Sequence, residues 1–414
     1  PARRVTAVHG TGWSERYAYD AAGNITDASW PVPAQRDGRE GRDGLGTAAQ
    51  GGREYAGTLI RRAGGVRYEH DAQGRVTLRQ QKRLSAGPRT WRYSWDGEDR
   101  LTGVTTPDGQ RWRYAYDPFG RRITKQRLGD EDGVAEQVDF AWDGVVLAEQ
   151  HHTTADALPS HVTTWDWEPG GFRPLTQADR RPTTGAPGDK TGGDRDDAGR
   201  DGDDQAEQAW FDAQFHAIIT DLVGTPTELI DPDGDLVWQA RTTLWGASPP
   251  PAAGDLACPL RFPGQYHDPE TGLHYNYHRY YDPETARYDS TDPLGLAPAP
   301  NPHTYVPNPL DWFDPLGLAP YRLSDPLPRG MNNKIASAYD DVRAGRIPSH
   351  DTYAGHEYPW WAGSKEYRVP GRPESDRILE KELPNGVKVY GWTSTHYTKI
   401  QRFSAPHFPD SGWN

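Results

Sequence analysis

Asp292 and Asp314 each open the tetrapeptide Asp-Pro-Leu-Gly, at 292–295 and 314–317. A proline after each aspartate confines it to extended or turn backbone, so two carboxyls can be held rigidly near one another. Two facing carboxyls that share a proton form an acid catalyst. The same tetrapeptide is also a plain turn former, its aspartate bonding its own backbone. A second group of reactive side chains stands nearer the C-terminus: Glu366 in Lys365-Glu366-Tyr367-Arg368-Val369, Arg377 in Ser375-Asp376-Arg377-Ile378-Leu379, and His396 in Thr395-His396-Tyr397. A carboxylate that takes a proton from a ribose 2′-OH, an arginine on the phosphoryl oxygens and an imidazolium that protonates the leaving 5′-oxygen make an RNA transesterification set. That chemistry needs neither metal nor cofactor. Singly, a strand Glu and Arg are as readily a surface ion bridge. His350, His356 and His407 lack comparable flanks, and their spacing makes no zinc pattern.

The elements that must carry these residues follow from hydrophobic spacing. In the tail from 319 to 414, Asn332 to Ala344 predicts a helix, with Asn as cap, Ile335, Ala338, Tyr339 and Val342 on one face, and Gly345 as stop. Strands are predicted at Lys365 to Val369, Asp376 to Glu382, Val387 to Trp392 and His396 to Phe403, the middle two joined by the hairpin turn Leu383-Pro384-Asn385-Gly386. Every second strand residue shares a face, so Glu366, Arg377 and His396 can converge on one concave surface. Trp360 and Trp361 read as core or rim.

Before this tail the chain is repetitive. Arg16-Tyr17-Ala18-Tyr19-Asp20 with Gly23 recurs as Arg67-Tyr68-Glu69-His70-Asp71 with Gly74, as Arg92-Tyr93-Ser94-Trp95-Asp96 with Arg100, and as Arg113-Tyr114-Ala115-Tyr116-Asp117 with Gly120. A degenerate copy is Asp139-Phe140-Ala141-Trp142-Asp143-Gly144. Each unit reads as a hairpin that cannot bury both faces alone, so stacked copies predict a curved, mainly β solenoid or shell. With 34% hydrophobic residues but 16 Trp and 21 Tyr, cross-strand aromatic pairs are expected to hold it. Residues 1–318 hold 33 basic against 48 acidic residues and the tail 13 against 11, an acidic wall around a slightly basic cargo. One cysteine, Cys258, excludes an internal disulfide, and no apolar run is long enough to span a membrane. The opening Pro-Ala-Arg-Arg has no signal-peptide pattern and reads as mid-repeat sequence, which predicts a start inside a longer protein.

The repeats resemble the YD-repeat, or Rhs, family. So do Ile219-Thr220-Asp221-Leu222-Val223-Gly224-Thr225-Pro226, Arg261-Phe262-Pro263-Gly264-Gln265-Tyr266, Glu270-Thr271-Gly272-Leu273-His274-Tyr275-Asn276 and Arg279-Tyr280-Tyr281-Asp282-Pro283. The resemblance implies a hollow β-cocoon enclosing a C-terminal toxin, with a self-cleaving core terminus. Scission would follow Leu318, between Leu318 and Ala319, with Asp292 and Asp314 as the carboxyl pair and Arg287 holding one of them ionised. Ala286-Arg287-Tyr288-Asp289 departs from the family's Gly-Arg-Phe, and Asp289 adds a third candidate carboxylate. The expected division is a repeat shell over 1–175, a disordered acidic insertion over 176–208, the core-terminal region over 209–318 and the toxin over 319–414.

Residues from Ile347 to Phe403 resemble the microbial guanyl-ribonucleases, of which barnase is the best known. Ser-Asp-Arg-Ile-Leu, a Tyr-containing strand and His-Tyr before Lys-Ile are the most specific part. The resemblance implies a small α+β ribonuclease fold with Glu366 as general base, Arg377 on the phosphate, His396 as general acid and Tyr397 beside the scissile phosphate. Arg372 is the second phosphate arginine, displaced by one position from the family's spacing. In the base-reading loop Gly355 stands where the family has glutamate, leaving Glu357 or His356 to substitute and Tyr353 or Tyr358 to stack on a base. Lys365 and Arg368 complete the substrate-binding candidates. The implied partners are RNA, an immunity protein, acidic where it covers Arg377, Lys365 and Arg368, and a secretion or delivery apparatus that carries the toxin into a target bacterial cytoplasm. Two other readings stay open: a tail with another nuclease or transferase activity, and a surface adhesion or carbohydrate-binding repeat protein.

Overall fold

The computed structural model describes residues 4–31, 48–83, 86–129, 132–154, 159–168, 171–182, 211–248, 256–296, 298–318, 320–322, 338–339, 341–342, 345–382, 388–393, 397 and 400–403. An 18-stranded antiparallel sheet runs from Ala7–Gly10 to Leu236–Gln239, each strand paired with the next in sequence. This is the mainly β shell expected from the hairpin repeats. Each repeat is built alike. Its first strand carries a register shift just before the turn, between Ala18 and Tyr19, Glu69 and His70, Ser94 and Trp95, and Ala115 and Tyr116. Bulges bend and twist a strand, so one per repeat curves the whole sheet.

The turn aspartates explain the repeat consensus. Asp71 accepts the backbone N–H of Gln73 and Arg75 and the Arg75 Nε; Asp96 does the same for Glu98 and Arg100, and Asp117 for Phe119 and Arg121. Gly23, Gly74 and Gly120 sit at φ +83, +84 and +82, where a side chain is strained. In the third copy Asp99 takes that place at φ 60. Its carboxylate receives Arg75 Nη1 at 3.0 Å, which binds one repeat to the next.

The aromatic side chains pack differently from expectation. Their contacts run mainly from the repeat sheet to a four-stranded sheet of Tyr266–Asp268, Leu273–Asn276, Arg279–Asp282 and Arg287–Tyr288, as in Trp95 on Tyr280, Tyr114 on Tyr280, and Tyr116 and Trp142 on Tyr275. Equivalent aromatics of successive repeats are separated by an intervening strand, so the core block fills the space between them. Arg122 and Lys125 are buried against Asp268 at 2.6 and 3.1 Å, Lys125 also reaches Glu270 at 3.1 Å, and Tyr68 donates to Asp282.

Residues 176–182, expected within the insertion, belong instead to the strand Pro174–Pro182, paired with Phe211–Thr220. Gln177 and Asp179 in that strand are buried and bonded, which holds a polar sequence in the sheet. The rest of the predicted insertion lies outside the described residues.

In the tail, Asp351–Thr352, Lys365–Arg368, Arg377–Glu382, Lys388–Thr393 and Gln401–Phe403 form a five-stranded antiparallel sheet. Residues 338–339 and 341–342 are helical, within the predicted helix, and Ala338, Tyr339 and Val342 pack on Tyr367, Ile378 and Trp392. The opposite face packs Leu379, Val389 and Ile400 under Tyr353 and the buried Trp361. The turn at 383–386 lies outside the described residues. No described helix is long and apolar enough to cross a membrane.

Candidate functional site

Asp292 and Asp314 come together, on a different arginine from the one expected. Arg279 Nη2 lies 2.9 Å from Asp292 Oδ2 and 3.3 Å from Asp314 Oδ2, with all three side chains at most 5% exposed. Tyr288 donates its hydroxyl to Asp314 Oδ2 at 2.8 Å, and its ring lies under the Arg279 guanidinium at 3.6 Å. Both tetrapeptides also form their turns: Gly295 N–H donates to the Asp292 carbonyl, and Gly295 and Gly317 are both at φ +66. The turn and catalytic readings are therefore compatible, since the turn is what aims the carboxyl. Burial pushes the Asp314 carboxyl above the usual carboxylate range, although Arg279, the Leu318 N–H and Tyr288 oppose the rise.

The cluster abuts the expected scission point. Asp314 Oδ1 accepts the Leu318 N–H at 2.9 Å, while Arg279 Nε donates to the Gly317 carbonyl at 2.6 Å and Nη2 faces the Leu318 carbonyl at 3.5 Å. A Cβ on Gly317 would meet the Asn276 carbonyl at 2.6 Å, so only glycine lets the chain lie this close.

Arg287 does not hold either carboxylate. Its guanidinium donates to Asn24 Oδ1 at 3.2 Å and to the Thr58 carbonyl, and lies 5.2 Å from the centre of the Tyr55 ring. Asp289 is also separate, its carboxyl pushed well up by burial and by neighbouring Asp282. Sequence reasoning missed Arg279 because it stands in Arg279-Tyr280-Tyr281-Asp282, a string that reads as strand. The available signal was an arginine among residues that otherwise fill a core.

In the tail, Glu366 and Arg377 are diagonal neighbours on adjacent strands, since Glu366 pairs with Leu379 and Arg368 with Arg377. Arg377 Nε donates to Glu366 Oε1 at 2.8 Å, and both residues are buried. Tyr397, at φ 69, hydrogen-bonds Glu366 through its side chain, and its ring lies 4.6 Å from Tyr353. Burial, then the bond to Glu366, pushes the Tyr397 phenol up. Tyr353 in turn donates to Glu357 Oε2 at 2.8 Å. Glu366, Arg377, Tyr397, Tyr353 and Glu357 thus form one connected group. His396 lies outside the described residues.

The remaining cations are placed less favourably. Lys365 projects from the other face, toward Glu380 at 3.6 Å, because it neighbours Glu366 along one strand. Arg372 Nε is held by Asp376 Oδ2 at 2.6 Å, and Arg368 is an exposed partner of Glu374 at 3.4 Å. His350, dismissed on sequence, sits beside the site: its Nε2 is 3.5 Å from Glu366 Oε1, and its backbone N–H donates to the Glu366 carbonyl at 2.9 Å. Strand pairing of Asp351 with Glu366 brings it there, a long-range register that no local pattern reveals.

The family described as RHS Repeat matches residues 85–111 and 95–134, and the family described as RHS protein matches residues 216–248. The chain is 33% identical over 353 residues to the probable deoxyribonuclease RhsA of Dickeya dadantii, covering 84% of this chain and 22% of that protein. It is 37% identical over 324 residues to toxin protein Tse5 of Pseudomonas aeruginosa, covering 73% and 23%. It is 32% identical over 365 residues to double-stranded DNA deaminase toxin A of Burkholderia cenocepacia, covering 84% and 23%. The chain spans less than a quarter of the length of each of these relatives. The hairpin sheet, the two matched segments and these relatives together support a shell of the Rhs polymorphic-toxin type.

Proposed function

We propose that this chain is the end of an Rhs toxin shell that cuts itself after Leu318 and thereby frees a cyclising endoribonuclease, residues 319–414, for delivery into a target bacterial cell. The buried contact of Arg279 with Asp292, Asp314 and the Leu318 carbonyl is the observation that carries the first half. Asp314, its carboxyl raised by burial, holds a proton, and Asp292, seated on Arg279, takes a proton from water. The water oxygen adds to the Leu318 carbonyl carbon while Arg279 stabilises the developing charge. The C–N bond then breaks, and the proton of Asp314 passes to the amine of Ala319.

The buried Glu366–Arg377 pair with Tyr397 supports the ribonuclease. Glu366 removes the 2′-OH proton, Arg377 stabilises the phosphoryl oxygens, and His396 protonates the leaving 5′-oxygen, giving a 2′,3′-cyclic phosphate. Tyr353 and Glu357 form the base-side wall, with Arg368 and Arg372 at the phosphate rim. RNA is the substrate, an immunity protein protects the producer, and a delivery apparatus engages the longer parent protein. A second reading, a tail that acts on DNA, is favoured by the names of two relatives.

The test is digestion of labelled RNA and of labelled DNA by the purified, self-cleaved chain in EDTA, with Glu366→Gln and His396→Ala alongside. Cyclic-phosphate RNA ends that vanish in both variants are expected. Intact RNA, or cleavage that survives both substitutions, rejects the ribonuclease, and cut DNA adopts the second reading.

A further inference from the structure

We propose that the pocket formed by Arg279, Asp292 and Asp314 is also a binding site for a chain-terminal carboxylate, the one that scission creates on Leu318. This rests on the self-cleavage reading above and adds to it what happens to the cut end. Three polar contacts at the scission point lie on the shell side of the scissile bond: Arg279 Nε to the Gly317 carbonyl, Arg279 Nη2 to the Leu318 carbonyl, and the Leu318 N–H to Asp314 Oδ1. Hydrolysis breaks none of them. Water supplies one oxygen to the Leu318 carbonyl carbon, the amine leaves with a proton, and the oxygen already facing Arg279 becomes part of a carboxylate. The acceptor facing the guanidinium then changes from a neutral carbonyl oxygen to an anionic one, so a contact with one charge becomes an ion pair.

The guanidinium is fixed for this role before any cut. Arg279 is 1% exposed, its Nη1 donates to the Pro302 carbonyl at 3.0 Å, and its face lies on Tyr288. The ligand end is fixed as well. Leu318 packs in a cluster with Phe172, Leu316 and Phe313, and Gly317 is locked against the Asn276 carbonyl. The Asn276 amide also binds the Asp314 carbonyl at 2.9 Å, which fixes the last turn of the shell from a second side. Cutting and opening are separate events in this arrangement. The cargo loses its covalent tether, the shell end stays docked, and the occupied site makes one net cut.

Oxygen exchange tests this. The self-cleaved full chain is incubated, folded, in water enriched in oxygen-18, and the peptide ending at Leu318 is then weighed by mass spectrometry. A carboxylate seated against the carboxyl pair rehydrates repeatedly and gains both heavy oxygens, whereas the Asn414 carboxylate and a urea-unfolded sample gain none. A folded, cleaved chain whose Leu318 carboxylate gains no label overturns the proposal, as does removal of Leu318 by carboxypeptidase under native conditions. A chain that stays uncut overturns the self-cleavage reading itself, an outcome readable from intact mass before labelling begins.

Discussion

Replacing Arg279 by methionine removes the cation that Asp292 and Asp314 share while keeping most of the side-chain volume. The three groups are nearly sealed from water, at distances of 2.9 and 3.3 Å, so the loss is that of a buried partner rather than of a surface pair. Breaking such a pair costs about 3–5 kcal/mol when the remaining charges have no escape. Here Asp314 is already inclined to hold a proton, and protonation relieves part of that cost. The effect on cutting is larger than the effect on folding. Loss of a preorganised donor facing the reacting carbonyl typically costs about 10²–10³ in rate, so the proposed scission is expected to slow by that factor. Cell-free synthesis with timed quenching, read on a gel as intact chain against the 1–318 and 319–414 pieces, measures it. Arg346→Met, whose exposed guanidinium pairs with Asp341 in the tail, is the control expected to cut normally. Folded Arg279→Met protein that cuts at the wild-type rate refutes the assignment.

Asp314 sets a pH dependence of opposite sign to the usual carboxylate. Its raised value means that the folded chain binds a proton the unfolded chain has released, so this contribution to stability declines as pH climbs from about 3.9 through the folded value; urea midpoints against pH, flatter in Asp314→Asn, check it. The turn aspartates behave the other way. Partial burial alone would raise the Asp96 carboxyl, but the Arg100 and Glu98 bonds outweigh it and hold it low, so its contribution is present above the ordinary carboxylate value and lost as pH falls through the folded one. Asp96→Ala is expected to cost about 1–3 kcal/mol at neutral pH and less in acid, read from the same urea curves. In the tail, Arg377→Ala is expected to lower RNA cleavage by about 10²-fold or more, whereas Lys365→Ala, on the far face, leaves the initial rate nearly unchanged. Equal losses in the two would place substrate on both faces of the sheet and refute the site.

The hairpin repeats were legible because their signal is local. Asp71, Asp96 and Asp117 bind backbone two and four residues on, and the glycine or Asp99 that follows meets a φ requirement of the same turn. The tail strands were legible for the same reason, and alternation alone put Glu366 and Arg377 on one face. What escaped was pairing over distance. Arg279 and Arg287 are both buried arginines in short aromatic strands, and only the fold decides that one faces Asp314 and the other Asn24. His350 reached Glu366 through strand register, and Lys365 was misjudged because proximity in sequence to Glu366 places it on the wrong side of the same strand. The aromatic residues were read as cross-strand pairs because sequence shows their repeat but not the core block that separates them.

The two arginines also explain why cutting should wait for the shell to close. Arg279, Tyr288, Asp292 and Asp314 come from four segments, and the Asn276 amide ties two of them by binding both the Tyr288 hydroxyl and the Asp314 carbonyl. Tyr288 is in turn flanked by Arg287, whose guanidinium reaches out of the core block to Asn24 and Thr58 in separate hairpins of the wall. Asn301 binds the same Asn24 side chain. The strand that presents Tyr288 to Asp314 is therefore anchored to repeats more than two hundred residues away in sequence. A chain whose wall has not wrapped the core block lacks that anchor, and its carboxyl pair has no fixed relation to the Leu318 carbonyl. On the self-cleavage reading, scission is then a report of completed folding. Disrupting the wall at Asn24 should slow cutting although Asn24 touches neither aspartate, and Arg287, misread as catalytic, is the residue through which that effect travels.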